Sequence, residues 1–335
     1  MDAGPGPADG GDGGGGGGAA DPTFELEHAI GFSGTVRDVL AFHPNGRDLI
    51  YAAGGCVVAC DKDDPHKQTF FRGHDDSISC LTVSSSGGII ASGQDGAESD
   101  VIVWDYEAKE VMFRCEEHRH GVAALAVSED EKLLVTMGSD RDNQLICWDM
   151  ASGHIVATGT ATGVATAFGG HAKDVKRRHT EDYVLATAGN RSITLWLLNP
   201  FSATLTSQVL SAGSRPTVRD YTCCAFSPDG DWLYAGSSSG DFSVFNVRSK
   251  LLTAVVPACS GGVLSLTVIS NDQLLLGGGD GTLTDFYTRD EVRRARSLPS
   301  RSRKPRLAVR LACQPAMGVQ RRWRRSDPQP AAARV

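Results

Sequence analysis

The sequence lacks the features that would place it in a membrane or send it to the secretory route. No run of about 18 apolar residues occurs anywhere in its 335 residues, so a transmembrane helix is not expected. The first residues contain no basic stretch followed by an apolar core, which is the pattern of a secretory signal. We predict a soluble protein that does not bind membranes.

Metal-binding and disulfide patterns are also missing. The nine cysteines are an odd number, lie mostly inside apolar runs and form no Cys-x-x-Cys pair. Cys115, His118 and His120 lie close in sequence but lack the fourth ligand of a structural zinc site. We therefore predict buried, reduced thiols in a reducing compartment, with no metal. No cofactor is expected either, since Gly277–Gly281 lacks the Gly-Lys-Ser/Thr ending of a phosphate-binding loop.

The residues that are present favour an all-β protein. Thirty-nine glycines and few long helix-forming runs indicate many turns. Hydrophobic residues make up 41% of the chain, which is enough for a sizeable buried core.

Charge is distributed unevenly along the chain. The formal net charge is −7, but residues 289–335 hold 14 Lys or Arg and three acids, so that they carry +11 and the rest carries −18. The acidic body argues against general binding to nucleic acid or anionic membrane. The basic tail could contact an acidic protein or RNA, or have no partner.

Composition divides the chain into three parts. Residues 1–22 consist almost entirely of Gly, Asp, Ala and Pro, and residues 289–335 are rich in Arg, Pro, Ser and Ala, so both are predicted to be disordered. Residues 23–288 contain short apolar runs separated by turn residues, as in antiparallel hairpins. The first run, FELEHAI at 24–30, alternates with period two and predicts an edge or closing strand.

A unit of 40–50 residues recurs through this middle part. The stretch Phe71–Tyr106 has a Gly-His pair, three apolar runs and a Trp-Asp pair. His74 precedes Trp104 by 30 residues, and His118 precedes Trp148 by the same distance. Later anchors at 196, 245 and 286 continue the spacing. This period and pattern predict a WD40-type β-propeller of about six blades, the last incomplete.

The recurring polar residues are predicted to be structural. A buried indole N–H and a buried imidazole both need hydrogen-bond partners, which a nearby hydroxyl and a turn carboxylate can provide. A hydrolase triad uses the same residue types, but a triad occurs once whereas this spacing repeats with the blade. The predicted structural blade residues are His74, Ser92, Trp104, His118, Thr136, Asp142, Trp148, Thr187, Asn190, Trp196 and Asp280.

Two charged segments are candidate partner contacts, because loops on a rigid scaffold are common binding sites. Gly93–Asp100 is acidic and is predicted to be longer than a tight turn, with Asp95 and Glu98 as candidates. Gly169–Asp182 is basic, with candidates Lys173, Lys176, Arg177 and Arg178. Solvated surface charge is the alternative interpretation of both segments.

Four stretches carry a more specific resemblance: AFHPNGRDLIYAAGG, FFRGHDDSISCLTVSSSGGIIASGQ, DYVLATAGN and LLLGGGDGTL. Together they resemble the first propeller of the cilia- and flagella-associated WD40 proteins found inside axonemal doublet microtubules. The resemblance covers roughly residues 24–283. It implies a non-enzymatic structural protein of the cytoplasm and the cilium or flagellum axoneme. The implied partners are tubulin in the microtubule lumen and other axonemal proteins, with no small-molecule substrate.

Other functions remain open on sequence grounds. A general cytoplasmic WD40 adaptor for complex assembly would show the same repeat, whereas a propeller enzyme would need polar residues converging on the central channel. Members of the family that this chain resembles carry two propellers and are about twice as long as this chain. The match here ends within the sixth blade. Because blades bury their faces only against neighbours, we predict an open or strained ring of reduced stability.

Overall fold

A computed structural model of the protein describes residues 26–31, 34, 36–189, 191–211 and 219–287. These residues contain 23 β-strands in six antiparallel sheets, and strands consecutive in the chain are neighbours in each sheet. The predicted all-β, six-bladed architecture is therefore confirmed. No helix in the described ranges is long and apolar enough to cross a membrane.

Each sheet is one blade, and the strands are as follows. Blade 1 contains β1 Leu40–Phe42, β2 Asp48–Ala53, β3 Cys56–Asp61 and β4 Gln68–Arg72. Blade 2 contains β5 Ile78–Val83, β6 Ile89–Gln94, β7 Ala97–Asp105 and β8 Glu110–His120. Blade 3 contains β9 Val122–Val127, β10 Leu133–Gly138, β11 Gln144–Asp149 and β12 Ile155–Thr160.

The second half continues the pattern. Blade 4 contains β13 Ala165–Lys173, β14 His179–Gly189, β15 Ser192–Asn199 and β16 Thr204–Val209. Blade 5 contains β17 Tyr221–Phe226, β18 Trp232–Ser237, β19 Asp241–Asn246 and β20 Leu251–Pro257. Blade 6 contains three strands, β21 Val263–Ser270, β22 Gln273–Gly278 and β23 Leu283–Tyr287, so the last blade is incomplete in the described residues.

The turn between β1 and β2 shows how the sequence produces these hairpins. Gly46 adopts φ +71°, a conformation that favours glycine. The Asn45 side-chain oxygen accepts the backbone N–H groups of Arg47 (2.9 Å) and Asp48 (3.0 Å). A Pro-Asn-Gly sequence therefore ends one strand and starts the next without leaving these donors unpaired.

The hydrophobic core lies between blades. Five clusters of buried side chains fill the five interfaces from blades 1–2 to blades 5–6. At the first interface Ile50 of blade 1 and Ile90 of blade 2 are both fully buried. Because each cluster joins two sheets, a blade is stabilised by its neighbours rather than by a core of its own.

The innermost strands are also joined by hydrogen bonds. Ser79, the second residue of β5, donates its hydroxyl to the carbonyl of Val122 at the start of β9 (2.6 Å). Thr222, the second residue of β17, makes the equivalent bond to the carbonyl of Val263 at the start of β21. The same device thus recurs at the interfaces of blades 2–3 and 5–6.

The segment predicted to close the ring does not form a strand in its described part. Residues 26–31 are irregular and lie against the face of blade 1 opposite the one that packs on blade 2. Ala29 packs there with Tyr51, Val58 and Cys60. The backbone N–H and C=O of Ala29 bond to the Gln68 side chain (2.8 and 3.0 Å). A side chain rather than a neighbouring strand therefore pairs with the Ala29 backbone, and the strand prediction is wrong for these residues. Positions 24 and 25 of the predicted segment lie outside the described residues.

The two ends of the ring carry exposed apolar surface. Leu40 and Phe42 are exposed on the inner strand of blade 1. On blade 6, Ile269, Leu283 and Tyr287 are 54%, 52% and 55% exposed. Within the described residues, β23 pairs with β22 alone, so its other edge has no partner strand.

The predicted terminal regions, residues 1–22 and 289–335, lie outside the described residues, and their boundaries stay predictions.

Candidate functional site

The first predicted set, in blade 2, forms a continuous hydrogen-bonded chain. Trp104 Nε1 donates to Ser92 Oγ (2.8 Å), and Ser92 Oγ lies 2.7 Å from His74 Nε2. His74 Nδ1 lies 2.8 Å from Gln94 Oε1, whose amide nitrogen donates to Asp75 Oδ1 (2.6 Å). Because Gln94 presents its oxygen, the imidazole proton is on Nδ1 and Ser92 donates to Nε2. Burial lowers the pKa of His74, in agreement with a neutral ring.

Blade 3 repeats the arrangement with a carboxylate in place of the amide. Trp148 Nε1 donates to Thr136 Oγ1 (3.0 Å), which lies 2.7 Å from His118 Nε2. His118 Nδ1 lies 2.6 Å from Asp142 Oδ2, and Asp142 Oδ1 accepts the backbone N–H of Arg119 (3.0 Å). Since His118 lies on β8 of blade 2, the chain of bonds joins that blade to the next one.

The later blades keep less of this arrangement. In blade 4, Trp196 Nε1 donates to Thr187 Oγ1 (3.0 Å), and the predicted Asn190 lies outside the described residues. In blade 6, Asp280 is on the exposed β22–β23 turn, where it accepts bonds from Ser260 and Thr282. These bonds hold the pKa of Asp280 well below its ordinary value.

Sequence reasoning missed three polar residues of blade 5. Phe245 occupies the tryptophan position and is buried, so no indole needs a partner there. Instead Arg219 Nε donates to both carboxylate oxygens of Asp241 (2.9 and 2.8 Å), and Ser237 Oγ donates to Asp241 Oδ1 (2.5 Å). Gln94, which contacts His74 in blade 2, was missed in the same way.

The buried hydroxyls are unsuited to nucleophilic catalysis. Ser92 and Thr136 are 0% exposed, and each accepts an indole N–H while it contacts a histidine. A nucleophile needs access to a substrate carbonyl beside an oxyanion-binding site. The arrangement can therefore stabilise blades, and it offers no reacting atom to a substrate.

The acidic segment Gly93–Asp100 is a hairpin rather than a long loop, so the prediction about its length is wrong. β6 ends at Gln94 and β7 begins at Ala97, which leaves a two-residue turn. Gly96 adopts φ +104°, and buried Ser99 donates to the Gly96 carbonyl (3.0 Å). Residues 97–100 lengthen β7 and its pairing with β8. Asp95 in the turn and Glu98 on β7 are both exposed.

The basic segment Gly169–Asp182 is likewise mostly strand. β13 continues to Lys173 and β14 begins at His179, so that 174–178 form the tip of an extended hairpin. Lys173 Nζ pairs with Asp231 Oδ1 of blade 5 (2.8 Å) and also donates to the Asp229 carbonyl, so it serves the structure internally.

At the tip of this hairpin the remaining candidates differ in their contacts. Arg178 forms a local ion pair with Asp174 (2.9 Å). Lys176 and Arg177 are exposed, and within the described residues neither side chain has a carboxylate within ion-pair distance. Of the four predicted basic contacts, these two are the most available to a partner.

Comparison with known proteins agrees with this architecture. The profile of the echinoderm microtubule-associated protein first beta-propeller matches residues 67–317. Cilia- and flagella-associated protein 52 of Chlamydomonas reinhardtii is 32% identical over 264 residues, which cover 77% of this chain and 42% of that protein. The Homo sapiens protein of the same name is 32% identical over 265 residues, with the same coverage.

A third relative is more distant. Centriole proteome protein 16 of Chlamydomonas reinhardtii is 26% identical over 271 residues, covering 70% of this chain and 12% of that protein. The chain thus spans less than half the length of the curated relatives it matches. The resemblance to cilia- and flagella-associated WD40 proteins is confirmed. The chain belongs to the family defined by the first β-propeller of the echinoderm microtubule-associated proteins.

Proposed function

We propose that the protein is a non-enzymatic scaffold of motile cilia and flagella that binds tubulin and other axonemal proteins inside doublet microtubules. The observation that carries the proposal is the 32% identity, over 77% of the chain, to relatives named cilia- and flagella-associated protein 52. Those names support a cilium or flagellum location, and the position inside the doublet is our extension of it.

The geometry is compatible with a scaffold. Interblade clusters and hydrogen-bonded chains fix the blades, while charged hairpin tips such as 174–178 project from them. Rigid blades with exposed turns present a broad surface on which several proteins can dock. No residue in this arrangement has to react for the protein to function.

Cross-linking of isolated, detergent-extracted doublets, followed by mass spectrometry, tests the finer part of the proposal. We expect cross-links from lysines of this chain to the luminal surface of tubulin and to proteins bound there. Cross-links confined to the outer surface of the doublet would contradict an inner position. Absence of this chain from the extracted doublets would favour the alternative of a general WD40 adaptor.

A further inference from the structure

A groove of about 580 Å³ lies between blades 4 and 5. Its blade 4 wall includes Leu195 of β15 and Gln208 of β16, and its blade 5 wall includes Asn246 and Arg248. Arg248 Nη2 lies 3.5 Å from the carbonyl of Val175, so the hairpin tip of blade 4 meets the β19–β20 turn of blade 5 at the rim. The groove is thus fixed by contacts between two blades.

The acidic residues of the groove are already paired within the protein. Asp231 pairs with Lys173 (2.8 Å) and Asp174 with Arg178 (2.9 Å). Asp182 accepts a hydrogen bond from the Asn199 amide (2.6 Å). Two of the three carboxylates that line the groove are therefore neutralised by neighbouring cations, and the third, Asp182, has a neutral hydrogen-bond partner.

The exposed cationic side chains that line the groove have no carboxylate partner in the described residues. Arg177, Arg248 and Lys250 line the groove and are exposed. Among the described residues none of the three has a carboxylate within ion-pair distance, and Lys250 donates to the neutral Gln208 side chain. Three unneutralised positive charges at one rim are complementary to a negatively charged ligand.

The shape of the groove favours a peptide over a compact anion. In the described residues β16 pairs with β15 alone, so its other edge has no partner strand and can accept an extended peptide. Ser207 and Gln208 of this strand line the groove. Asn246 offers an amide that can bond to peptide groups. Val175, 86% exposed beside this rim, offers an apolar contact.

We propose that this groove binds a short, extended acidic segment of a partner protein. Glutamate or aspartate side chains of the segment pair with Arg177, Arg248 and Lys250 while its backbone runs along β16. The proposal goes beyond the ciliary function, because it assigns a ligand chemistry to a specific surface and does not depend on where the protein resides. A long polyanion is disfavoured, because the acidic body of the chain repels it outside the groove.

Fluorescence anisotropy with a labelled peptide of alternating Glu and Ala tests the proposal on the full chain. We expect binding that weakens as salt is added, with no binding of the matching Lys–Ala peptide. The double variant Arg177→Glu/Arg248→Glu is expected to weaken binding about tenfold. Arg119→Glu reverses one charge at an exposed site outside the groove and should leave the affinity within about twofold.

Three results would overturn the proposal. Equal loss of affinity in the Arg119→Glu variant would show a general charge effect, and an unchanged affinity in the double variant would place binding elsewhere, for instance on residues 289–335. Tighter binding of a single-stranded oligonucleotide would indicate a nucleic-acid site. Circular dichroism melting checks that each variant folds. If the charge-reversal variant does not fold, the neutral variant Arg177→Gln/Arg248→Gln takes its place. Carbodiimide coupling of the peptide carboxylates to Lys250 or Lys176 would locate the bound peptide at the groove independently of the variants.

Discussion

The tryptophan indoles at the ends of β7 and β11 explain why the polar residues recur. Each buried N–H needs an acceptor, and in both blades a fully buried hydroxyl provides it. Leaving a buried donor without a partner costs about 1–3 kcal/mol. The repeated histidine then keeps that hydroxyl in place, so the polar chain is part of the blade rather than a catalytic device.

Replacement of Thr136 by Val tests this role. The change leaves Trp148 Nε1 and His118 Nε2 without their shared partner, so the free energy of unfolding should fall by about 2 kcal/mol. Denaturant unfolding monitored by tryptophan fluorescence measures the change. Thr267→Val is the matched control, because Thr267 is exposed on β21, and it should change stability by less than about 0.5 kcal/mol. Equal effects of the two substitutions would contradict the role.

A second residue-scale prediction concerns pH. Burial lowers the pKa of His74 in the folded protein, so the unfolded chain binds more protons as the pH falls through the ordinary histidine pKa of about 6.5. The stability that neutral His74 contributes is present above that pH and decreases below it. Asp75 and Asp100 oppose the shift and Arg114 adds to it.

The variant His74→Asn, which does not titrate, isolates this contribution. The difference in unfolding free energy between the wild type and this variant should be larger at about pH 7.5 than at about pH 5.5. Denaturant unfolding at the two pH values gives both numbers. A difference that grows on acidification would mean that the folded state prefers the charged ring.

At the scale of elements, the lengthened β13–β14 hairpin depends on a contact outside its own blade. Lys173 at the end of β13 reaches the 229–231 turn of blade 5. In Lys173→Met the side-chain length is kept and both polar contacts are lost. We expect a loss of about 1–2 kcal/mol and faster amide exchange in 170–180, with exchange in β10 and β11 unchanged. Lys176→Met is the control; unchanged exchange in Lys173→Met would show that this contact does not hold the hairpin.

The elements also show what could be predicted from the sequence. Strands and blade number followed from short apolar runs at a fixed period, since each run has to bury the same face. The two long segments were misjudged as loops, because a two-residue turn at Asp95 and Gly96 and a tip at 174–178 leave the rest free to extend the strands. No periodic signal marks that choice.

The polar sites divide in the same way. Trp104 and Trp148 were predictable because their histidines and hydroxyls recur at fixed offsets. The Arg219–Asp241 pair was not, because it replaces the motif in a blade whose tryptophan position is phenylalanine. The groove between blades 4 and 5 combines residues from hairpins about 70 positions apart, such as Arg177 and Arg248, and becomes visible only in the fold.

At the scale of the whole molecule, the ends of the ring differ from its interior. Blades 2 to 5 are packed on both faces, whereas blade 6 has three described strands and exposes Ile269, Leu283 and Tyr287. A blade with one packed face gains less from burial. We expect amides of β22 and β23 to exchange faster than those of β10 and β11 in native-state hydrogen exchange. Uniform protection, with cooperative melting of the monomer at high temperature, would contradict an open ring.

The central proposal is that this propeller is an axonemal scaffold, and its location tests that most directly. Cilia are isolated, their membranes are removed with detergent, and the soluble and axonemal fractions are probed for this chain. We predict that the protein stays with the axoneme after detergent extraction. A protein found wholly in the soluble cytosolic fraction would contradict the proposal.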